Sequence, residues 1–158
     1  MTRSASIISI EPAAPDSPEA AACLNAYFTE LATRFEGGFD PDAGAASPDT
    51  AMAPPHGAFL LAFLDGRAVG CGGVKLLEPG VGEIKRMWIA PEVRGIGLSR
   101  HLLAAIEDAA RDLGFRKVRL DTNRTLIEAR ALYAKTGYSE ITRYNDNPYA
   151  DHFFEKRL

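Results

Sequence analysis

The spacing of apolar and polar residues changes several times along this chain, and each change predicts an element. Residues 6–11 alternate weakly and predict a first strand. Ser17-Pro18 has the form of an N-cap followed by proline at the first helical position, and the alanine- and leucine-rich run to Phe35 predicts a helix. Residues 37–56 collect Gly, Pro, Ala and Asp and predict a loop with at most a short helix. Ala58–Leu64 is apolar, Asp65-Gly66 is a hairpin turn signal, and Ala68–Leu77 resumes the strand pattern. Pro79-Gly80 makes a second turn, and Val81–Ile89 is a third strand. From Leu98 to Leu113 the period becomes helical: Leu98, Leu102, Leu103, Ile106, Ala109, Ala110 and Leu113 form one apolar stripe, and Gly114 suits the C′ position. Val118–Asp121 is a short strand. Thr125-x-x-Glu128 has the form of a capping box opening a helix that ends at Gly137. Tyr138–Tyr144 and His152–Leu158 predict two last strands, joined by the turn-rich Asn145-Asp146-Asn147-Pro148.

This order constrains the topology. The strand–helix–strand crossover from Ile84 to Leu120 needs a parallel pair, whereas the hairpins need antiparallel ones. The expectation is an α/β (α+β) single domain over residues 1–158, with a mixed, mostly antiparallel sheet of about seven strands and helices on both faces.

Composition narrows the function classes. The 158 residues are enough for one domain with a real core; 46% are hydrophobic and 25% charged, as in ordinary soluble proteins. A net charge of −3 gives no reason to expect nucleic acid as a partner. No apolar run has the length of a membrane span, and the first residues lack the apolar core of a signal peptide, so the expected location is the cytoplasm. Cys23 and Cys71 are expected to be buried free thiols there. His56, His101 and His152 have no metal-ligand spacing, and no metal is expected.

The stretch Ala90-Pro91-Glu92-Val93-Arg94-Gly95-Ile96-Gly97-Leu98-Ser99 leads from a strand into the amphipathic helix. Glycines at a helix start let backbone N–H groups approach an anion, the helix dipole favours negative charge there, and Arg94 adds a bidentate donor. This is a candidate pyrophosphate cradle. It is not a P-loop, because Gly97-Leu98-Ser99 replaces Gly-Lys-Ser/Thr. A dinucleotide fingerprint accounts for Gly95, Gly97 and the later Asp121, but its third glycine is Arg100, and four residues intervene after the strand.

The chain resembles the GNAT N-acetyltransferase superfamily. Arg94, Gly97 and Ser99 occupy the defined positions of its Arg/Gln-x-x-Gly-x-Gly/Ala motif, with serine as a mild departure. Leu132-Tyr133-Ala134-Lys135-Thr136-Gly137-Tyr138 resembles its Leu-Tyr-x-x-x-Gly-Phe/Tyr. The resemblance implies an acetyl-CoA-dependent N-acetyltransferase working by direct attack in a ternary complex. Arg94, Gly95, Ile96, Gly97, Leu98 and Ser99 would hold the pyrophosphate, and Met87, Trp88 and Ile89 the pantetheine arm. The N–H of Ile89 could also serve the oxyanion. The family's asparagine position is Leu126 here, and Asn123 is the substitute considered.

For the chemistry, the resemblance points to Glu83 as the base, acting directly or through water, and to Tyr133 as the acid for the departing thiolate. Alternation puts Glu83, Lys85 and Met87 on one strand face unless a bulge intervenes, and the alternative to the base role is that Glu83 is a solvated strand residue paired with Lys85. From periodicity alone Tyr133 reads as core. The acceptor is expected to be a small or amino-acid-like primary amine. Phe28, Arg34, Phe35, Lys85 and Tyr144 are its candidate contacts, with Lys85 and Arg34 together holding a carboxylate. A protein lysine or N-terminus is the alternative acceptor, and a non-catalytic acyl-CoA sensor the alternative function. Homodimers are common in the family; no feature of the sequence demonstrates one.

Overall fold

In the computed structural model, residues 7–43 and 48–158 are described; Ser6 of the first expected strand and residues 44–47 of the long loop lie outside them. The elements are β1 (Ile8–Pro12), α1 (Pro18–Arg34), β2 (Gly57–Leu64), β3 (Arg67–Glu78), β4 (Val81–Ile89), α2 (Leu98–Asp112), β5 (Lys117–Thr122), α3 (Ile127–Lys135), β6 (Ser139–Ile141) and β7 (His152–Arg157), with 3-10 turns at Asp49–Ala51 and Pro91–Val93. They form a mixed α/β structure around one seven-stranded sheet of order β1-β2-β3-β4-β5-β7-β6.

All strand pairs are antiparallel except β4 with β5. That parallel pairing lasts only from Val81↔Lys117 to Glu83↔Arg119. β4 continues to Ile89, so the two central strands part after Glu83. The hairpin at Asp65-Gly66 has φ of 51° and 81°, the left-handed pair that a tight two-residue turn requires.

The two faces of the sheet are covered differently. Alternate residues Leu60, Ala62 and Val74 pack with Leu98, Leu102, Leu103 and Ile106 of α2. Their neighbours Phe59, Leu61 and Cys71 pack with Ala20, Cys23 and Leu24 of α1. Ser17 caps α1 by accepting from the Ala20 N–H, and extended backbone at Phe35 ends it. Cys23 and Cys71 are free and buried.

Four local expectations are corrected. The stripe of α2 includes Glu107, only 6% exposed, which accepts from the Tyr138 hydroxyl at 2.7 Å and from Lys156 Nζ at 3.1 Å. The capping box does not form: Thr125 Oγ1 donates to Asn123 Oδ1, Glu128 pairs with Arg34, and α3 starts at Ile127. β6 stops at Ile141, because Arg143 donates to the carbonyls of Asn145, Asn147 and Ala150 and fastens the chain into a turn. β4 carries a bulge. Its pairing steps from Gly73↔Lys85 to Cys71↔Trp88, so Arg86 and Met87 stand opposite Gly72 alone. Arg86 takes a φ of 60° to make this step.

Candidate active site

The parting of β4 and β5 opens a cleft of about 450 Å³. Arg94, Gly95, Leu98 and Ser99 border one end, Met87, Trp88 and Ile89 one wall, and Leu132 and Tyr133 of α3 another. Gly95 and Gly97 have φ of 89° and 83°, a conformation that side chains resist, while a Cβ at either would meet nothing within 4 Å. The glycines therefore shape the loop and leave the space before it open. Gly97 is the N-cap of α2, and no side chain caps that end. The first-turn N–H groups of a 15-residue helix thus meet the cleft beside Arg94. Ile96, 52% exposed, and Gly97 do not border the cleft.

Arg94 is held by protein groups. Its Nε donates to the Ile89 carbonyl at 2.9 Å, and one terminal nitrogen donates to both oxygens of Glu30 in α1, at 2.7 and 2.9 Å. Glu30 also accepts from Trp88 Nε1 at 3.1 Å and from Arg34. Burial raises the Glu30 carboxyl, but these donors, Arg94 first, outweigh it and hold the group below the usual carboxylate range. Arg34 divides its guanidinium among Glu30, Glu128 and the Thr125 carbonyl. Lys85 faces Asp121 at 3.9 Å, and both Arg34 and Lys85 border the cleft.

Tyr133 is buried, 6% exposed, and its ring packs on Tyr138 and Phe154. It is both a core residue and a wall of the cleft. Burial, and then the charges of Tyr27 and Asp121, push its phenol well above the ordinary value. The hydroxyl thus stays protonated at every ordinary working pH.

At the opposite end lies a side pocket of about 90 Å³ that shares Phe39, Lys85, Arg86, Asn147 and Tyr149 with the cleft. Glu83 borders this side pocket and not the main cleft. It is 5% exposed, accepts from the Tyr144 hydroxyl at 2.8 Å and Asn145 Nδ2 at 3.1 Å, and faces Lys75 at 3.9 Å. The expected pairing with Lys85 is replaced by Lys75. The bulge keeps Lys85 with Glu83 but turns Met87 toward Gly72 and Ile106 on the other face. Arg86, which the sequence did not single out, joins Lys85 in both pockets. Its Nε donates to Asp49 at 3.0 Å, and its guanidinium lies over Phe28.

Several expected contacts are displaced. Phe28 packs behind Arg86 and Phe39 and borders neither pocket. Tyr144 reaches the site only through its hydroxyl on Glu83. Phe35 does border the cleft, in a stack with Phe39 and Tyr149. The Asp40 N–H donates to the Tyr149 hydroxyl at 2.8 Å, tying the loop after α1 to the segment between β6 and β7. Asn123 borders the cleft, but its Nδ2 donates to the Tyr149 carbonyl and its Oδ1 accepts from Thr125; both ends of its amide are used by the turn.

The acetyltransferase (GNAT) family profile matches residues 24–138, most of the chain and both sides of the cleft. The chain belongs to the GNAT acetyltransferase family. Among relatives of this GNAT chain, an "IAA acetyltransferase" of Azospirillum brasilense is 40% identical over 90 residues, 56% of this chain and 59% of that protein. A solved Klebsiella pneumoniae structure, described as a candidate acyl-CoA N-acyltransferase, is 33% identical with a TM-score of 0.74, covering 96% of this chain and 98% of that one. An Elizabethkingia anophelis GNAT structure, described with acetyl-CoA bound, shares the fold at 15% identity, with a TM-score of 0.65 and coverage of 96% and 98%. Among the described residues no group of His, Cys, Asp or Glu could hold a metal ion, and no helix is long and apolar enough to cross a membrane.

Proposed function

We propose that this GNAT protein is an acetyl-CoA-dependent N-acetyltransferase of small primary amines, built as a single domain. The observation that carries the reading is the parting of β4 and β5 after Glu83, which opens one cleft from the α2 N-terminus to Tyr133 and the side pocket. The relative described with acetyl-CoA bound has the same fold.

The donor supplies an activated thioester; the chain supplies position and charge. Arg94 and the first-turn N–H groups of α2 fit a diphosphate, an anion with more oxygens than Glu30 now offers that guanidinium. The edge of β4 at Met87–Ile89 is exposed to the cleft for amide contacts along an extended arm. Tyr133 donates a hydrogen bond to sulfur as negative charge gathers there. A phenol ordinarily holds its proton more tightly than a thiol, with pKa values of about 10 and about 8.5. Burial widens that gap, so the hydroxyl stabilises the developing thiolate more than it protonates it.

The acceptor nitrogen belongs where the cleft meets the side pocket. Two carboxylates flank that junction: Glu83 from the side pocket and Asp121 from the cleft. A lysine-like amine is less than about one part in a thousand neutral at pH 7, which costs roughly 4–5 kcal/mol; a carboxylate at this junction does not remove that cost but can take the proton the nitrogen sheds as the C–N bond forms. The stacked rings of Phe35, Phe39 and Tyr149 roof this end. A roofed junction favours a small acceptor over a lysine presented on a protein surface.

The test is thiol release from acetyl-CoA across a panel of small amines and lysine peptides, together with calorimetric titration of acetyl-CoA into wild type and Arg94→Ala. Turnover of small amines and weaker binding by the variant are expected. Tight acetyl-CoA binding with no thiol release for any amine would leave a sensor, and no binding would end the reading.

A further inference from the structure

We propose that Asp121, rather than Glu83, is the carboxylate that contacts the acceptor nitrogen and receives its proton. This rests on the acetyltransferase reading above and names the residue that performs its proton step.

Glu83 and Asp121 sit on the two strands that part, β4 and β5, and one side chain bridges them. Asn145 Nδ2 donates to Asp121 Oδ2 at 2.6 Å and to Glu83 Oε2 at 3.1 Å. The two carboxylates nevertheless face different spaces. Asp121 borders the cleft shared with Tyr133 and the β4 wall; Glu83 borders only the side pocket. A base must reach the proton it removes within hydrogen-bond distance or through one water. Asp121 meets that condition from within the cleft, whereas Glu83 stands behind Asn145.

The bonding of Asp121 suits the role. Oδ2 accepts from Asn145, and Oδ1 accepts from Asn147 Nδ2 at 3.2 Å. Both hydrogen-bond donors are neutral amides, and Lys85 Nζ, which also borders the cleft, faces Oδ2 at 3.9 Å. Each oxygen keeps lone-pair capacity for a further donor. Its side chain is 9% exposed, so an incoming N–H would bond it with little competition from water. Each carboxylate has a lysine at 3.9 Å; what separates them is that Glu83 accepts twice on Oε2, from a phenol and an amide, and opens only to the side pocket.

The step balances as follows. The amine nitrogen forms the C–N bond to the thioester carbonyl, the C–S bond breaks, and the electron pair leaves on sulfur beside Tyr133. The nitrogen becomes strongly acidic as the bond forms, and its proton passes to Asp121. At that stage the proton is acidic enough for a carboxylate to take it, although a carboxylate is a poor base toward a free ammonium. The charged or titratable groups around Asp121 are Lys85 from β4, Glu83 through Asn145, Tyr27 from α1, Tyr133 from α3, and Tyr144 ahead of β7; Phe153 is its neighbour on β7. Burial raises all three phenols, which keeps them protonated and out of the role of base.

The experiment compares wild type, Asp121→Asn and Glu83→Gln with the best acceptor of the panel, reading kcat and KM for the amine and the Kd of acetyl-CoA. Asp121→Asn should lose about 100-fold or more in kcat, with the Kd changed less than about threefold. Glu83→Gln should lose about tenfold or less. If Asp121→Asn does not fold, Asp121→Glu carries the test: kcat must fall while the Kd stays within about threefold. Near-wild-type turnover of the Asp121 variant, or a larger loss in Glu83→Gln than in Asp121→Asn, overturns the assignment. A wild type that binds acetyl-CoA but acetylates no amine overturns the function and this assignment together.

Discussion

Glu30 and Arg94 form a clasp between α1 and the loop leading into α2: one guanidinium nitrogen lies 2.7 and 2.9 Å from the two carboxylate oxygens. On the proposed function, the guanidinium that would receive a diphosphate is already engaged by an internal anion. Binding must share or displace that contact. Glu30→Gln removes the competing charge. If the clasp is worth about 1 kcal/mol, as for partly exposed pairs, acetyl-CoA should bind about fivefold more tightly in the variant. Calorimetry reads this directly; unchanged affinity would mean that Glu30 and the ligand do not compete.

The same carboxyl sets a pH dependence of stability. Its folded pKa is depressed, because donors led by Arg94 outweigh the upward push of burial. Such a group contributes stability that is complete above the unfolded glutamate value of about 4.3 and is lost as pH falls through the lower folded value. The Tm advantage of wild type over Glu30→Gln should therefore be constant near neutrality and shrink on acidification below about pH 4.5. Thermal melts over that range check the sign.

Tyr133→Phe keeps the ring that packs on Tyr138 and Phe154 and removes only the hydroxyl. Turnover should fall about 10- to 100-fold, with acetyl-CoA affinity within about threefold. Because burial holds the phenol protonated, the wild-type profile should show no alkaline limb from Tyr133 up to pH values of about 10. Steady-state kinetics that match wild type would leave Tyr133 as packing alone.

Gly72 stands opposite the β4 bulge. A Cβ there would lie 2.7 Å from Ile106 Cδ1 and 3.3 Å from the Cα of Met87. Gly72→Ala should cost about 1–3 kcal/mol of stability and disturb the step that puts Lys85 and Arg86 in the cleft. A denaturant titration measures the first effect, and acceptor KM the second.

Tyr149→Ala removes one ring of the roof and the hydroxyl that accepts from Asp40. Small amines should lose about tenfold in kcat/KM through poorer positioning, while bulkier amines lose less. The amine panel run on both proteins reports the ratio.

Most of the architecture was legible because local patterns agreed. Asp65-Gly66, the Leu98–Ile106 stripe and the glycines before α2 each demand one conformation, and the crossover fixes β4 against β5. What escaped reading depends on partners distant in sequence. Glu107 looks like a surface residue until Tyr138 and Lys156 arrive from 31 and 49 positions away. Thr125 and Glu128 look like a capping box until Asn123 and Arg34 bind them first. The bulge at Arg86 has no glycine to announce it; its φ of 60° is held by Asp49, the Pro41 carbonyl and Phe28. Asp121 was visible only as a ribose-binding acid of a fold the chain does not have. Its place beside Lys85, Asn145 and Asn147 emerges only once the strands have separated.

The amide of Asn145 reaches acids on both tines of the forked sheet from the segment that also carries Asn147 and Tyr149. On the proposed function, whatever moves that segment moves charge placement and acceptor fit at once. Altering residues there to admit a new amine will retune the chemistry as well as the shape, and the two traits will be hard to evolve apart.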